Sequence, residues 1–223
     1  MSQPETDTRS LGSVFHHRGR THRVTSKDWL DLFEAGGFSA AIFDCDGTLV
    51  DSSEAHFRAM QAAAREQGHD MVKEWYQARN GLDRQSLFQA FHKTVSAKFD
   101  VHRAIASSIE LFDGCTHLIK PVRGVLDFAG ALRMRKIPLA VATNAEHSVA
   151  KVSLIAANAI NLFDHLVSIS DDVQPKPSPE MFERAANLSG EPHHATLVVE
   201  DSPQGIQAAN AAKMSALQLL EAR

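Results

Sequence analysis

The sequence predicts an α/β fold: a doubly wound parallel sheet interrupted by an all-helical insertion. Three observations carry this. From residue 121 onward, short apolar runs alternate with helical patterns, which argues for a parallel sheet with helices on both faces. An isolated apolar run, Ala40-Ala41-Ile42-Phe43, stands well before that alternation and reads as the first buried strand. Between the two, from about Ser53 to Ile119, apolar residues recur at three- and four-residue steps, the signature of helices.

The elements follow in order. Residues 1–37 read as an N-terminal arm, partly flexible, with a short helix. Met1 to about Thr25 is polar, with a basic patch of His16, His17, Arg18, Arg20, His22 and Arg23. Its histidines lack the regular spacing of a metal site. Ser26 is expected to cap a helix through Phe33, with Trp29, Leu30 and Phe33 on one face, and Gly36-Gly37 ends it. The core opens over 38–52. The insertion, 53–119, carries helix faces such as Phe57, Met60 and Ala64, or Leu87, Phe88 and Phe91. Asn80-Gly81 and Asp113-Gly114 mark breaks within it. The core resumes over 120–223. Helices are expected at 125–135, 147–157, 179–188 and 205–212, and strands at 137–142, 165–169, 196–199 and 215–219.

Composition narrows the function. The chain has 223 residues, 43% hydrophobic and 22% charged, enough for a sizeable core. A net charge of −4 offers no basic face to nucleic acid, so any phosphate site must gather positive charge locally. Cys45 and Cys115 have no CxxC spacing and read as two reduced thiols. No apolar run approaches the roughly 18 residues of a membrane span. No signal-peptide core opens the chain, and Glu5 and Asp7 argue against a transit peptide. The expectation is a cytoplasmic protein with neither a nucleic-acid nor a membrane partner.

In open α/β sheets ligands bind beyond the carboxyl ends of the strands. Those ends carry Asp44-Cys45-Asp46-Gly47-Thr48, then Thr143-Asn144, then Lys176-Pro177 past a short loop, then Glu200-Asp201-Ser202. Converging, they would bring together four carboxylates, a lysine and a hydroxyl. Clustered carboxylates call for a hard cation, and Mg2+ prefers such oxygen ligands. Asp44 and Asp46 can face one reaction centre while Cys45 turns away. One carboxylate can attack phosphorus and the other can work as acid and base. Gly47 permits a tight turn and lets backbone N–H groups approach phosphate. Lys176 can offset the gathered negative charge. Each motif alone is a weak signal, since acidic pairs also cap helices and Lys-Pro is also a turn; their ordered occurrence after successive apolar strands is specific.

With these residues the sequence resembles the haloacid dehalogenase-like hydrolase superfamily, in its branch of β-phosphoglucomutases and sugar-phosphate phosphatases. The resemblance runs from about Ala40 to Leu220. It rests on the Phe43–Ser52 segment, Thr143-Asn144, Lys176-Pro177-Ser178-Pro179, and the run from Glu200 to Ile206. It implies a Rossmann-like core with an inserted α-helical cap. It implies Asp44 as nucleophile and metal ligand, and Asp46 as acid/base whose backbone carbonyl meets the metal. Thr143 and Lys176 would bind the transferring phosphoryl group, Asp201 would ligate the metal, and Glu200 would assist it. Dehalogenating and phosphonate-cleaving members lack the second aspartate, so Asp46 implies phosphate-ester chemistry.

The branch also implies substrate contacts. Gly47 and Asn144 would line the phosphate site. His56 would position the acid/base as the cap closes, unless it is an ordinary face of a helix start. Arg84, after Asn80-Gly81, would read the substrate, unless it is a solvated helix cation. Two departures favour a phosphatase over a mutase: Asn80 stands where mutases commonly carry lysine, and Glu146 falls near where a second phosphate would lie. Lys136 and Lys213 stand at helix ends where relatives often have glycine. The expected protein is a Mg2+-dependent phosphatase for a small phosphorylated metabolite, a monomer or weak homodimer. The alternatives are a phosphosugar mutase and a non-catalytic module that binds a phosphate ligand.

Overall fold

Five short strands, apolar at most of their buried positions, build the parallel part of one sheet. They are β3 (Ala40–Phe43), β6 (Leu139–Thr143), β7 (His165–Ser168), β8 (Thr196–Glu200) and β9 (Ser215–Leu219). In the computed structural model, which describes residues 10–79, 82–95 and 98–220, they stand in the order β9-β8-β3-β6-β7. Every neighbouring pair is parallel. Alternation along β3 sends Ala41 and Phe43 to one face and Ile42 to the other. The first face packs on α1 (Trp29–Ala35), α6 (Arg123–Met134) and α7 (His147–Ala156), through Trp29, Phe33, Phe128 and Leu154. The second packs on α8 (Glu180–Ser189) and α9 (Pro203–Ala211), through Phe182, Ala185 and Ala208. This is the doubly wound α/β fold that the sequence predicts. The carboxyl ends of β6, β3 and β8 lie side by side at its centre.

Between β3 and α6 the chain runs through four helices: α2 (Ser53–Arg65), α3 (Lys73–Gln77), α4 (Arg84–His92) and α5 (Val101–Phe112). They bury a core of their own around Met60, Met71, Leu87, Phe88, Phe91 and Phe99. The outgoing and returning strands of chain pair as a short ladder that the sequence did not signal, β4 (Val50–Asp51) against β5 (Lys120–Pro121). Asp113-Gly114, expected as a break, opens a 3₁₀ turn through Leu118. The Asn80-Gly81 break lies outside the described residues.

The flexible arm is a correction. Residues 12–25 form a hairpin, β1 (Gly12–His17) and β2 (Arg20–Thr25), and β1 pairs antiparallel with β9. Without it β9 would be an open edge, and an open edge invites pairing. Arg18 and Gly19 both take positive φ, 49° and 74°, as a two-residue hairpin turn requires. Phe15 is buried against Phe38, and Ser13 Oγ accepts a 2.7 Å bond from Trp29 Nε1. His17 contacts Ser215 at 2.8 Å, and His16 contacts Gln218 at 3.1 Å. Polar composition masked an alternating pattern whose inward residues are Ser13 and Phe15. Glu5 and Asp7 lie outside the described residues.

Ser26 does not cap α1. Its hydroxyl accepts from Leu11 N–H at 3.1 Å, and the helix starts after Asp28, whose carboxylate accepts from Thr25. Lys136 and Lys213 do take the left-handed conformation beyond α6 and α9, with φ of 60° and 59°. Both cysteines are free. Among the described residues, no helix is long and apolar enough to cross a membrane.

Candidate active site

Asp44 follows the last residue of β3, and its N–H continues the ladder to Val199 O at 2.9 Å. The chain then doubles back. Leu49 and Val50 N–H both donate to Cys45 O, at 2.9 and 3.1 Å, and Gly47 N–H donates to Val50 O at 2.7 Å. This turn buries Cys45 and leaves Asp44 and Asp46 on the crevice side. Gly47 has φ of +94°, and a Cβ there would collide with the Asp201 carboxylate. Its own N–H is taken by Val50, so the glycine secures the close approach of Asp201.

Lys176 is the hub. It is 6% exposed, and its Nζ donates to Asp44 Oδ1 at 2.6 Å and to Glu200 Oε1 at 2.9 Å. Asn144 holds its backbone: Lys176 N–H donates to Asn144 Oδ1 at 2.9 Å, and Asn144 Nδ2 donates to Lys176 O at 3.4 Å. Asn144 therefore positions the lysine, and it also lines the cavity in which a substrate contact is expected of it. Thr143, buried at the end of β6, accepts at Oγ1 from Ala145 N–H at 3.1 Å. Glu200, 1% exposed, also accepts from Ser202 N–H at 2.5 Å. A Cβ on Gly205 would collide with it, so α9 can start close to Glu200 only with glycine there.

Asp44, Glu200 and Asp201 place carboxylate oxygens within 4.8 Å of one another. Burial first, then Glu200 and Asp201, push Asp44 well above the usual carboxylate range, with Lys176 opposing. Burial and Glu200 push Asp201 up to about 6. Burial opposes the charged form of Lys176, but Asp44 and Glu200 outweigh it and the ammonium is held charged. Three carboxylates against one ammonium leave negative charge uncompensated, and an all-oxygen donor set of this kind fits a divalent cation. A consequence for stability follows. A carboxyl whose folded pKa is raised favours folding below its unfolded pKa, and that contribution is lost as pH rises through the folded value. Without a cation, the melting temperature should fall as pH rises from about 4 through about 6. A divalent cation at 100 times its dissociation constant at pH 8 should add about 2.7 kcal/mol there, and the same concentration should add less at pH 5, where protons compete for the carboxylates. Melting scans across pH, with chelator and with added cation, check this.

Asp46 sits apart from that cluster, between core and helices. Its carboxylate accepts from Ser52 Oγ at 2.5 Å and contacts His56 Nε2 at 3.2 Å. Burial pushes Asp46 up, but His56, Ser52 and Arg84 together outweigh it and hold it below the usual range. The His56 ring lies 4.6 Å from that of Phe112, tilted by 38°, so α2 and α5 both fix it. Arg84 is not a solvated cation. It is 7% exposed; its Nε reaches Glu146 Oε1 and Oε2 at 3.0 and 3.2 Å, and its Nη1 donates to Ser108 Oγ at 2.9 Å. A cavity of about 260 Å³ is lined by Asp44, Asp46, Thr143, Lys176 and Asp201 from the strand ends and by Tyr76 and Arg84 from the helices. A wider one, about 640 Å³, adjoins it through Asp46, His56, Tyr76 and Asp201.

The sequence reading missed Ser52, Thr48 and Ser108. Thr48 Oγ1 donates to Asp201 Oδ1 at 3.3 Å. Thr48 and Ser52 lay inside the first motif and could have been read as supports for its aspartates; Ser108 carried no local signal.

Comparison with known proteins fits this geometry. The family model for haloacid dehalogenase-like hydrolases matches residues 38–213. The chain belongs to this family. Among curated relatives of this haloacid dehalogenase-like hydrolase is the Arabidopsis thaliana chloroplastic protein SUPPRESSOR OF QUENCHING 1, 29% identical over 86% of the chain. The chain spans only 18% of that protein's length. Fructose-1-phosphate phosphatase YqaB of Escherichia coli is 28% identical, over 81% of this chain and 95% of its own. The crystal structure of CbbY from Rhodobacter sphaeroides in complex with phosphate shares the fold, with a TM-score of 0.73 at 23% identity, covering 80% of this chain and 84% of that one. The enzyme class expected from the motifs, a phosphoric monoester hydrolase of this family, stands with the family match and with relatives named as phosphatases.

Proposed function

We propose that this protein is a Mg2+-dependent phosphatase for a small monophosphorylated metabolite, in particular a sugar phosphate, and that it works through an aspartyl phosphate on Asp44. The observation that carries the reading is the Lys176 ammonium held between Asp44 and Glu200 with Asp201 alongside. Residues 53–119 act as a cap over the core of 38–52 and 120–223, so Tyr76, Arg84 and His56 meet the substrate from above. The fructose-1-phosphate phosphatase YqaB matches 81% of the chain and lends weight to a sugar-phosphate substrate.

In this reading the Asp44 carboxylate attacks phosphorus while Lys176 and the Thr143 hydroxyl neutralise and orient the phosphoryl oxygens. Asp46 gives a proton to the departing alcohol oxygen, then takes one from the water that attacks the aspartyl phosphate. Its depressed pKa makes the base form the resting one, so Asp46 must be loaded with a proton before the first transfer, and His56, 3.2 Å away, is the neighbour placed to pass it; the attacking water returns the proton afterwards. Asp44, Asp201, Glu200 and the Asp46 carbonyl would hold the Mg2+, which when bound supplies positive charge against the phosphate oxygens. Displacement of the helices would admit substrate, and their return excludes water. The enzyme acts in the cytoplasm, as a monomer or weak homodimer.

A screen of phosphorylated sugars with and without Mg2+ tests the reading. Phosphate should be released from some of them, only with the cation, and without return of the phosphoryl group to another hydroxyl of the sugar. Failure with every phosphate ester, or release undiminished by chelator, would overturn it.

A further inference from the structure

We infer that Glu146 is a specificity-determining residue that holds Arg84 neutralised and so bars substrates with a second anionic group near the leaving end. This rests on the phosphatase reading above and narrows its substrate class to monophosphates whose remaining part is uncharged or cationic.

The argument is a charge inventory. Among the described residues, the smaller cavity has two permanent cations on its walls, Lys176 and Arg84. Lys176 is committed to Asp44 and Glu200 beside the reacting phosphoryl group. Arg84 is the cation left for the rest of the substrate, and its guanidinium is already engaged on two sides, by both Glu146 oxygens and by Ser108. Glu146 stands at the N-cap position of α7 but caps nothing with its side chain, so its carboxylate is free to serve Arg84. Asp83 also lines this cavity. In the wider cavity Lys73 is likewise bound to a carboxylate, Glu54 at 2.6 Å, whereas Arg79 lies 4.0 Å over the Trp75 ring. A distal phosphate at Arg84 would have to displace Glu146 or sit against its like charge, a cost that can reach several kcal/mol in a desolvated setting. Hydroxyl groups meet no such penalty and find acceptors in Glu146 and a donor and acceptor in Tyr76. Specificity here comes from repulsion as much as from attraction.

The test compares a hexose monophosphate with the bisphosphate of the same hexose, in the wild type and in Glu146→Gln. The wild type should favour the monophosphate by about 100-fold or more in kcat/KM. Glu146→Gln keeps the size of the side chain and removes its charge. It should narrow that preference by about tenfold, chiefly through a lower KM for the bisphosphate. Equal use of both compounds by the wild type, or a preference unchanged in Glu146→Gln, overturns the inference. Should the variant not fold, the wild-type preference decides alone. The screen of phosphate esters above separates the two levels: phosphate release from none of them removes the phosphatase reading and this inference with it, and release with an unfavourable ratio removes only the role of Glu146.

Discussion

Asp44→Asn should lower phosphate release by about 10⁴-fold or more, with no acid-stable phosphoenzyme formed on quenching, while the protein stays folded. The amide is close in size to the carboxylate and can still accept from Lys176 Nζ, now 2.6 Å from Asp44 Oδ1. It cannot attack phosphorus. The fold should not suffer, because Asp44 is an uncomfortable anion. Burial raises its pKa, and Glu200 and Asp201 raise it further. Removing that charge relieves the crowding, so the metal-free variant should melt no lower than the wild type at pH 7. Steady-state phosphate release and thermal melts together check the expectation. Activity retained in the variant would remove Asp44 as nucleophile; a protein that fails to fold would mean that the negative charge itself holds Lys176 in place.

Lys176→Met should act on both function and stability. Lys176 sits among two carboxylates that are 7% and 1% exposed, and methionine leaves them buried without a cation. Breaking one side of a buried ion pair costs about 3–5 kcal/mol, which for a chain of this size lowers the melting temperature by on the order of 10 °C. Phosphate release should fall to background. The loss should be smaller at pH 5 than at pH 8, because Asp44 takes up a proton in place of the lost ammonium charge. Adding Glu200→Gln to Lys176→Met should return part of the stability and none of the activity. Melts of the single and double variants at the two pH values separate the cost of the unpaired carboxylates from the lost contact of the ammonium with the Phe182 ring, whose centroid lies 4.9 Å from Nζ.

Much of the site was legible because its residues sit where strand ends and loops have local signatures. The run Asp44–Ser52 carries the proposed nucleophile, the acid/base candidate, the turn glycine and a supporting hydroxyl within one short segment. Lys176 is announced by Pro177, and Glu200-Asp201 by the apolar strand before them. The hairpin was illegible for a different reason. Its inward positions are Ser13 and Phe15, and a buried serine looks like surface until Trp29 is seen donating to it. Its stability comes from β9, some 200 residues away, and local composition does not carry that information.

The sequence by itself determined the doubly wound sheet, the helical insertion and the set of carboxylates and lysine that chemistry would need, because hydrophobic period and strand-end motifs are local properties. Only the tertiary structure decided how those groups are used. It set the Asn144 side chain against the backbone of Lys176, and brought Asp201 close over Gly47. It also took Arg84 out of solvent and bound it to Glu146. The physical reason is that charge and hydrogen-bond partners in a buried site are set by distances across elements far apart in the chain, and those distances exist only once the helices close on the strand ends.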